Sequence, residues 1–418
     1  MNHMIKTSKK NLLIITLSPP LPANSGAPIY VTNTLLPLAD QYNLHLYTIG
    51  GEAEVAHIEK HRKEYDKYFS SVHVEPRAQM PSQKTTGGRI LHTLEHMVHG
   101  LPFMDASYYS RAAVQSARRI VREHKIDAME IHSSHLAFFK KFLPKTPALL
   151  VSHNIESDIF PFWVPQNLSG WKKSAVELAA KVSRRNAHDV ECENKWHFEA
   201  MTFISNNDMG RVTAPVEKHY IPLCLPIKEV DYTLRPASPV NLLWMGGFWW
   251  YPNAEGALWF VREILPLVRH KLQQHNIQIH FLGAAPPDEL KAADDGKHVH
   301  VHGFVESLDD VLASTHLLFV PLLSGGGVRV KILEAMSNGI PVISTSKGCE
   351  GLGATDGENI VIRDTPEAFA ASLIELALDQ ALRSRLSVSC RKLLDEKYNL
   401  QHCIDIKATL YKKITTSR

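Results

Sequence analysis

Arg329, Lys331 and Glu334 follow directly on a run of three glycines, Gly325-Gly326-Gly327. The glycines free the backbone to take positive φ and let a ligand come close to bare N–H groups. Val330, Leu333 and Ala335/Met336 recur near helical spacing, which predicts a helix over 328–337 with Asn338-Gly339 as its stop. Two cations in the first turn of such a helix oppose its dipole, and an anionic partner accounts for them. Glu334 stands three residues after Lys331. At that spacing it is free to bind a ligand or to pair with Lys331 on a solvated face. A second candidate, His153, ends the apolar run Ala148–Ser152, where it either meets a ligand or caps a strand for structure.

These side chains need elements to hold them. Leu317–Val320 is short and β-prone, Pro321 ends it, and Pro341–Ser344 resumes an extended run after the helix. Strand, glycine loop, helix and strand make a βαβ unit that aims free amides and the positive helix end at one point suited to an anion. The same order opens the chain: Leu12–Leu17 as a strand, Ser18–Gly26 as a loop, Tyr30–Leu38 as a helix and Asn43–Thr48 as a strand. Further strands are expected at 128–132, 148–152, 201–205, 240–245, 277–282, 299–302 and 358–362, with helices at 112–123 and 254–268 and one or two long helices over 171–200. Residues 52–102 are polar and irregular in pattern, with Thr85–Gly88 expected as a mobile loop. The four prolines in 221–239 mark a linker between two α/β series.

The chain has 418 residues, enough for two domains. Its 46 basic and 43 acidic side chains leave a net charge of only +3, so nothing demands nucleic acid. Five cysteines, odd in number, widely spaced and without a CxxC pair, point to reduced thiols and a cytoplasmic protein. The 23 histidines form no HExxH or Cys/His cluster, so no metal is expected. Lys9-Lys10 before Asn11–Ile15 has the order of a signal peptide, but the apolar stretch is short and runs into Pro19-Pro20. It reads as a first strand. No run reaches the roughly 18 apolar residues of a membrane span. The basic segment Lys172–Arg185 is either a solvated face or a peripheral contact for the inner, anionic face of a membrane.

Together these residues resemble the GT-B glycosyltransferases of the group 1 type, family four of the sugar transferases. The resemblance runs from about Asn241 onward through Gly-Gly-Phe and Trp-Tyr-Pro-Asn, His302-Gly303-Phe304-Val305, the stretch from Gly325 to Ala335, and Gly339–Ile343. More loosely, it takes in the loop ending at Gly26 and the strand end at His153. It implies an α/β, GT-B architecture of two Rossmann-like, doubly wound parallel-sheet domains facing a cleft. The domains are expected at 1–222, acceptor side, and 240–395, nucleotide-sugar donor side, joined by 223–239. A helix at 396–418 is expected to cross back onto the first domain.

The resemblance also implies roles. Glu334 matches the glutamate expected on the donor ribose. Gly325, Gly326, Gly327 and Val328 would set amides on the diphosphate and sugar, and Gly26, Gly247, Phe304 and Val305 complete the donor-binding set. His153 is expected to act in catalysis. The chain departs from the family pattern twice: Gly326 occupies the position of a glutamate that contacts donor-sugar hydroxyls, and the Arg and Lys that many members carry after the first strand of the second domain are not evident near Gly246-Gly247. Arg329 and Lys331 are therefore expected to carry the charge of the leaving diphosphate in their place.

The implied reaction is retaining transfer from a UDP- or GDP-type donor, with no other cofactor, to a glycan or lipid-linked acceptor in cell-surface polysaccharide synthesis. Two alternatives are compatible with the same residues. One is a GT-B binding or scaffold subunit with reduced catalysis, which the glycine at 326 motivates. The other is a nucleotide-sugar epimerase-like enzyme, which would need acid/base carboxylates that the sequence does not offer as a pair.

Overall fold

The computed structural model describes residues 9–416 apart from 24–25, 79–84, 86–87, 89–90, 92–94, 97, 103–107, 160–169, 229–234, 236–237, 306–307 and 326–327. Part of the expected Thr85–Gly88 loop, and Gly326 and Gly327, lie outside the described residues. The chain divides into two compact units, 1–222 with 401–418, and 223–400.

The first unit holds a sheet of seven parallel strands in the order β3-β2-β1-β4-β5-β6-β7. The strands are β1 Lys10–Thr16, β2 Tyr42–Gly50, β3 Phe69–Pro76, β4 Ala128–His132, β5 Ala148–Ser152, β6 Ala200–Phe203 and β7 Glu217–Tyr220. The central strands are buried along their length because helices cover both faces. The Gly26–Leu35 helix follows β1, and Arg111–Glu123, with Ser110 capping its first turn, precedes β4. Leu410, Tyr411 and Ile414 of the Leu400–Thr416 helix share a core with Leu12, Ile14 and Leu44, so the last helix packs on this sheet.

Two edge strands went unread in the sequence. β3 (FSSVHVEP) and β7 (EKHY) are partly exposed and polar, because an edge strand has no neighbour on one side and need not be apolar. The polar stretch before β3 forms two helices, Glu52–Lys60 and Arg62–Tyr68, each burying a single large side chain, Ile58 or Tyr65. Of the one or two helices expected over 171–200, the structure forms one, Gly170–Glu191.

The second unit has a six-stranded parallel sheet in the order β10-β9-β8-β11-β12-β13. Its strands are β8 Val240–Met245, β9 Ile277–Leu282, β10 Val299–His302, β11 Leu317–Val320, β12 Val342–Ser344 and β13 Val361–Ile362. The stretch read as a linker belongs to this unit: Lys228 N donates to Ser337 O (3.1 Å) and Arg235 to Asn338 O (2.8 Å). In both sheets the strand order reverses beside the first strand, between β1 and β4 and between β8 and β11. Open parallel sheets bind ligands outside the carboxyl ends of strands at such a reversal. Among the described residues no helix is long and apolar enough to cross a membrane.

Candidate functional site

At the reversal in the second unit, β8 exits through Gly246, whose φ is +146°, into Gly247. The Tyr251–Trp259 helix begins just beyond and brings Asn253 back over the turn, where its Nδ2 donates to Gly247 O (2.9 Å). The other end of the same amide accepts from Lys331 Nζ (2.9 Å), which also lies 4.3 Å from the centre of the Trp244 ring. A Cβ on Gly246 would stand 2.8 Å from Lys331 Nζ and 2.9 Å from Asn253 Nδ2, so glycine there makes room for the ammonium. Lys331 thus delivers a cation from the helix after β11 to the end of β8.

No carboxylate pairs with Lys331 among the described residues. Burial, and then the neighbouring Arg329, lower its pKa from 10.5 to about 7. Arg329 is itself buried; desolvation pulls its pKa down and Glu350 draws it back up.

On the β11 side, Gly325 has φ +98°, and a Cβ there would press on the Pro252 ring at 3.1 Å and on Arg329 Nη2 at 3.3 Å. Gly256 lets its helix touch the β11 exit, since a Cβ there would come within 2.5 Å of Pro321 O. The expected helix over 328–337 starts later, at Val330. Val330 N turns back to Val328 O (3.1 Å), and Arg329 at the N-cap makes no side-chain cap. Val328 therefore lies in the turn, and no N-cap side chain occupies the amides of the first helical turn.

Glu334 does not pair with Lys331. Its carboxyl, one turn on, is half-buried; burial raises its pKa, Lys228 lowers it and Asp309 raises it again. Lys228 and Asp309 themselves form an ion pair at 2.7 Å. Helical side chains lean toward the N-terminus, which carries Lys331 to Asn253 and away from Glu334. Asp309 opens the short helix after β10, and Phe304 and Val305 lie in the loop between, Phe304 being 75% exposed. The second unit thus gathers Gly247, Gly325, Val328, Arg329 and Lys331 at one point. Glu334 lies on the side of Asp309.

At the reversal in the first unit, a cavity of about 30 Å³ is lined by Ser18, Ala27, Pro28, His132, Ser133 and His153. Gly26 starts the helix whose next residues line it. His153 and the start of that helix therefore share one end of this sheet. Behind them lies a buried chain that sequence reading missed. Glu130 is fully buried, and its Oε1 accepts from His132 Nε2 (2.7 Å) and from Lys407 Nζ (2.7 Å), while its Oε2 accepts from the Tyr411 hydroxyl. Burial opposes the charge of Glu130, but Lys407 and His132 outweigh it and hold the carboxyl well below its usual range.

His132 Nδ1 meets His153 Nε2 at 3.2 Å. With the carboxylate taking the proton on His132 Nε2, a neutral His132 accepts at Nδ1, so His153 donates from Nε2 and keeps Nδ1 as an acceptor. Burial first, then His132 and Lys407, lower the pKa of His153 to about 3, so it is neutral at ordinary pH. The signal for this chain was a glutamate in the middle of an otherwise apolar central strand.

Residues 239–379 match the family model described as Glycosyl transferases group 1. A Klebsiella pneumoniae protein, described as an uncharacterized 44.6 kDa protein in the cps region, is 25% identical over 260 residues. That alignment covers 60% of this chain and 65% of the relative's length. Among solved structures, sucrose-phosphate synthase from Thermosynechococcus elongatus superposes with a TM-score of 0.63 at 14% identity, over 98% of this chain and 100% of that one. Anabaena HepE, solved in complex with UDP and glucose, gives 0.62 at 12% identity over 96% and 99%. A glycosyltransferase from Rickettsia africae gives 0.64 at 11% over 99% and 100%. These likenesses establish the GT-B fold.

Proposed function

We propose that this chain, a member of the group 1 glycosyl transferases through residues 239–379, moves a sugar with retention from a UDP- or GDP-type donor to a glycan or lipid-linked acceptor in cell-surface polysaccharide synthesis. The observation that carries the reading is Lys331: a partly buried ammonium with no carboxylate partner among the described residues, held by Asn253 at the strand reversal, beside Gly325 and a helix start that no N-cap side chain occupies. That arrangement suits a diphosphate. Breaking a glycosyl–phosphate bond puts negative charge on the departing nucleotide, and cations and amides aimed at that charge lower the barrier. Glu334, half-buried and away from Lys331, is suited to accept from the two hydroxyls of a ribose.

The UDP bound by HepE and the cps-region setting of the Klebsiella relative support the donor class and the pathway. The first unit is proposed to contribute His153 as a neutral hydrogen-bonding group. Peripheral contact with an anionic membrane is part of the same proposal, since the Gly170–Glu191 helix exposes Leu178 and Val182 beside Lys181, Arg184 and Arg185. Sedimentation with anionic liposomes at low salt tests that contact, and absence of binding removes it.

The reaction itself is tested by following nucleotide release from UDP- and GDP-sugars in the presence of lipid-linked glycan extract. Release dependent on extract supports the enzyme. Binding of the donor with no release under any acceptor condition turns the reading toward a scaffold.

A further inference from the structure

We propose that Glu255, with Tyr251 and Ser324, forms the subsite for the donor's sugar, Glu255 being the carboxylate that accepts from its hydroxyls; this rests on reading the second unit as the donor-binding unit. Glu255 lies in the first turns of the helix after β8, next to Gly256, which presses that helix onto the exit of β11. Its Oε1 accepts from the Tyr251 hydroxyl (2.9 Å) and its Oε2 from Ser324 Oγ (2.5 Å). The Tyr251 contact alone would be an ordinary pair one helical turn apart. Ser324 comes from a different element, the loop that leads into Gly325, and ties the carboxylate to the anion-binding turn. Both donors are neutral, and no cation pairs with Glu255 among the described residues. Each carboxylate oxygen keeps lone-pair capacity for a ligand hydroxyl. Position 326, two residues on, is glycine and offers no side chain for that task.

The surroundings fit a pyranose. Trp249, Trp250 and Tyr251 are 76%, 49% and 68% exposed on the same turn. Trp249 is seated against Gly247, where a Cβ would stand 2.3 Å from the indole nitrogen. Gly247 thereby serves to hold an indole at the mouth of the turn. Sugar rings present C–H faces and a rim of hydroxyls, which aromatic faces and a carboxylate match respectively. A diphosphate at Gly325 and Lys331 would leave its attached sugar beside Ser324.

The test compares the full-length protein and Glu255→Gln by calorimetric titration with UDP, UDP-glucose, GDP and GDP-mannose. For whichever nucleotide binds, the expected result is a nucleotide-diphosphate Kd unchanged within about twofold and a nucleotide-sugar Kd weakened roughly tenfold or more, as befits loss of a charged acceptor. The unchanged Kd for the diphosphate also shows that the variant is folded. Equal weakening of both ligands, or of neither, overturns the subsite while leaving the donor reading standing. Failure of the wild-type chain to bind any of the four ligands overturns the donor reading and the subsite with it.

Discussion

Lys331 Nζ donates to Asn253 Oδ1 at 2.9 Å, joining the helix after β11 to the helix after β8 across the strand reversal. Asn253 in turn holds the carbonyl of Gly247 at 2.9 Å. One amide thereby fixes both the cation and the turn it serves.

The pKa of Lys331, lowered to about 7 in the free protein, must rise when a diphosphate binds. Binding then takes up a proton at pH values above about 7. Affinity for UDP or GDP is expected to be greatest at or below that pH and to fall by up to about tenfold per unit above it. Titration calorimetry in two buffers of different ionisation enthalpy measures the uptake. Lys331→Met should weaken binding and flatten the pH dependence.

Gly246→Ala places a methyl 2.8 Å from Lys331 Nζ at a backbone φ of +146°. The ammonium must move, and the turn is strained by about 1–3 kcal/mol. The expected outcome is a Kd for nucleotide diphosphate raised by roughly tenfold or more, with the sheet intact by circular dichroism. Unchanged affinity would mean that the position of the ammonium is immaterial.

Lys407→Met leaves the Glu130 carboxylate buried without its main cation and should cost about 3–5 kcal/mol in the first unit. The double variant Glu130→Gln/Lys407→Met should cost less than the sum of the two single changes, because it removes both charges. Thermal unfolding of the full chain reads this in the transition assigned to the first unit. Because the pKa of Glu130 is depressed, its contribution is present above the ordinary carboxyl range and fades as pH falls through and below it.

His153, with its pKa lowered to about 3, stays neutral and does not titrate between about pH 5 and pH 8. The pH–rate profile in that window should lack a limb from His153. His153→Ala is expected to lower turnover by about 10²-fold without changing the profile's shape. A limb near pH 6 that vanishes in this variant would contradict the neutral assignment.

Much of this was legible in the residues. β8, β9, β10 and β11 begin and end as read: β8 and β11 are mostly apolar runs closed by Gly or Pro, and β9 and β10 alternate Ile, Val or Phe with Gln or His. β3 (FSSVHVEP) and β7 (EKHY) were not legible, since neither offers an apolar run or the alternation that β10, the other polar edge strand, keeps along its whole length. Arg329 and Lys331 stood out as cations at a helix start, whereas the partner that positions Lys331, Asn253, lies 78 residues away and has no local signature. Glu130 and Lys407, separated by 277 residues, are joined only by the packing of the last helix on the first sheet. Pairing of Glu334 with Lys331 was allowed by spacing and excluded by side-chain direction.

Arg329 and Lys331 are proposed to carry the charge of the departing nucleotide diphosphate, and nucleotide release by Arg329→Ala/Lys331→Ala puts that role to the test. With a UDP- or GDP-sugar and an acceptor on which the wild-type chain turns over, release by the double variant should fall on the order of 10²–10³-fold or more, with its circular dichroism unchanged. Release at the wild-type rate would show that neither cation bears that charge.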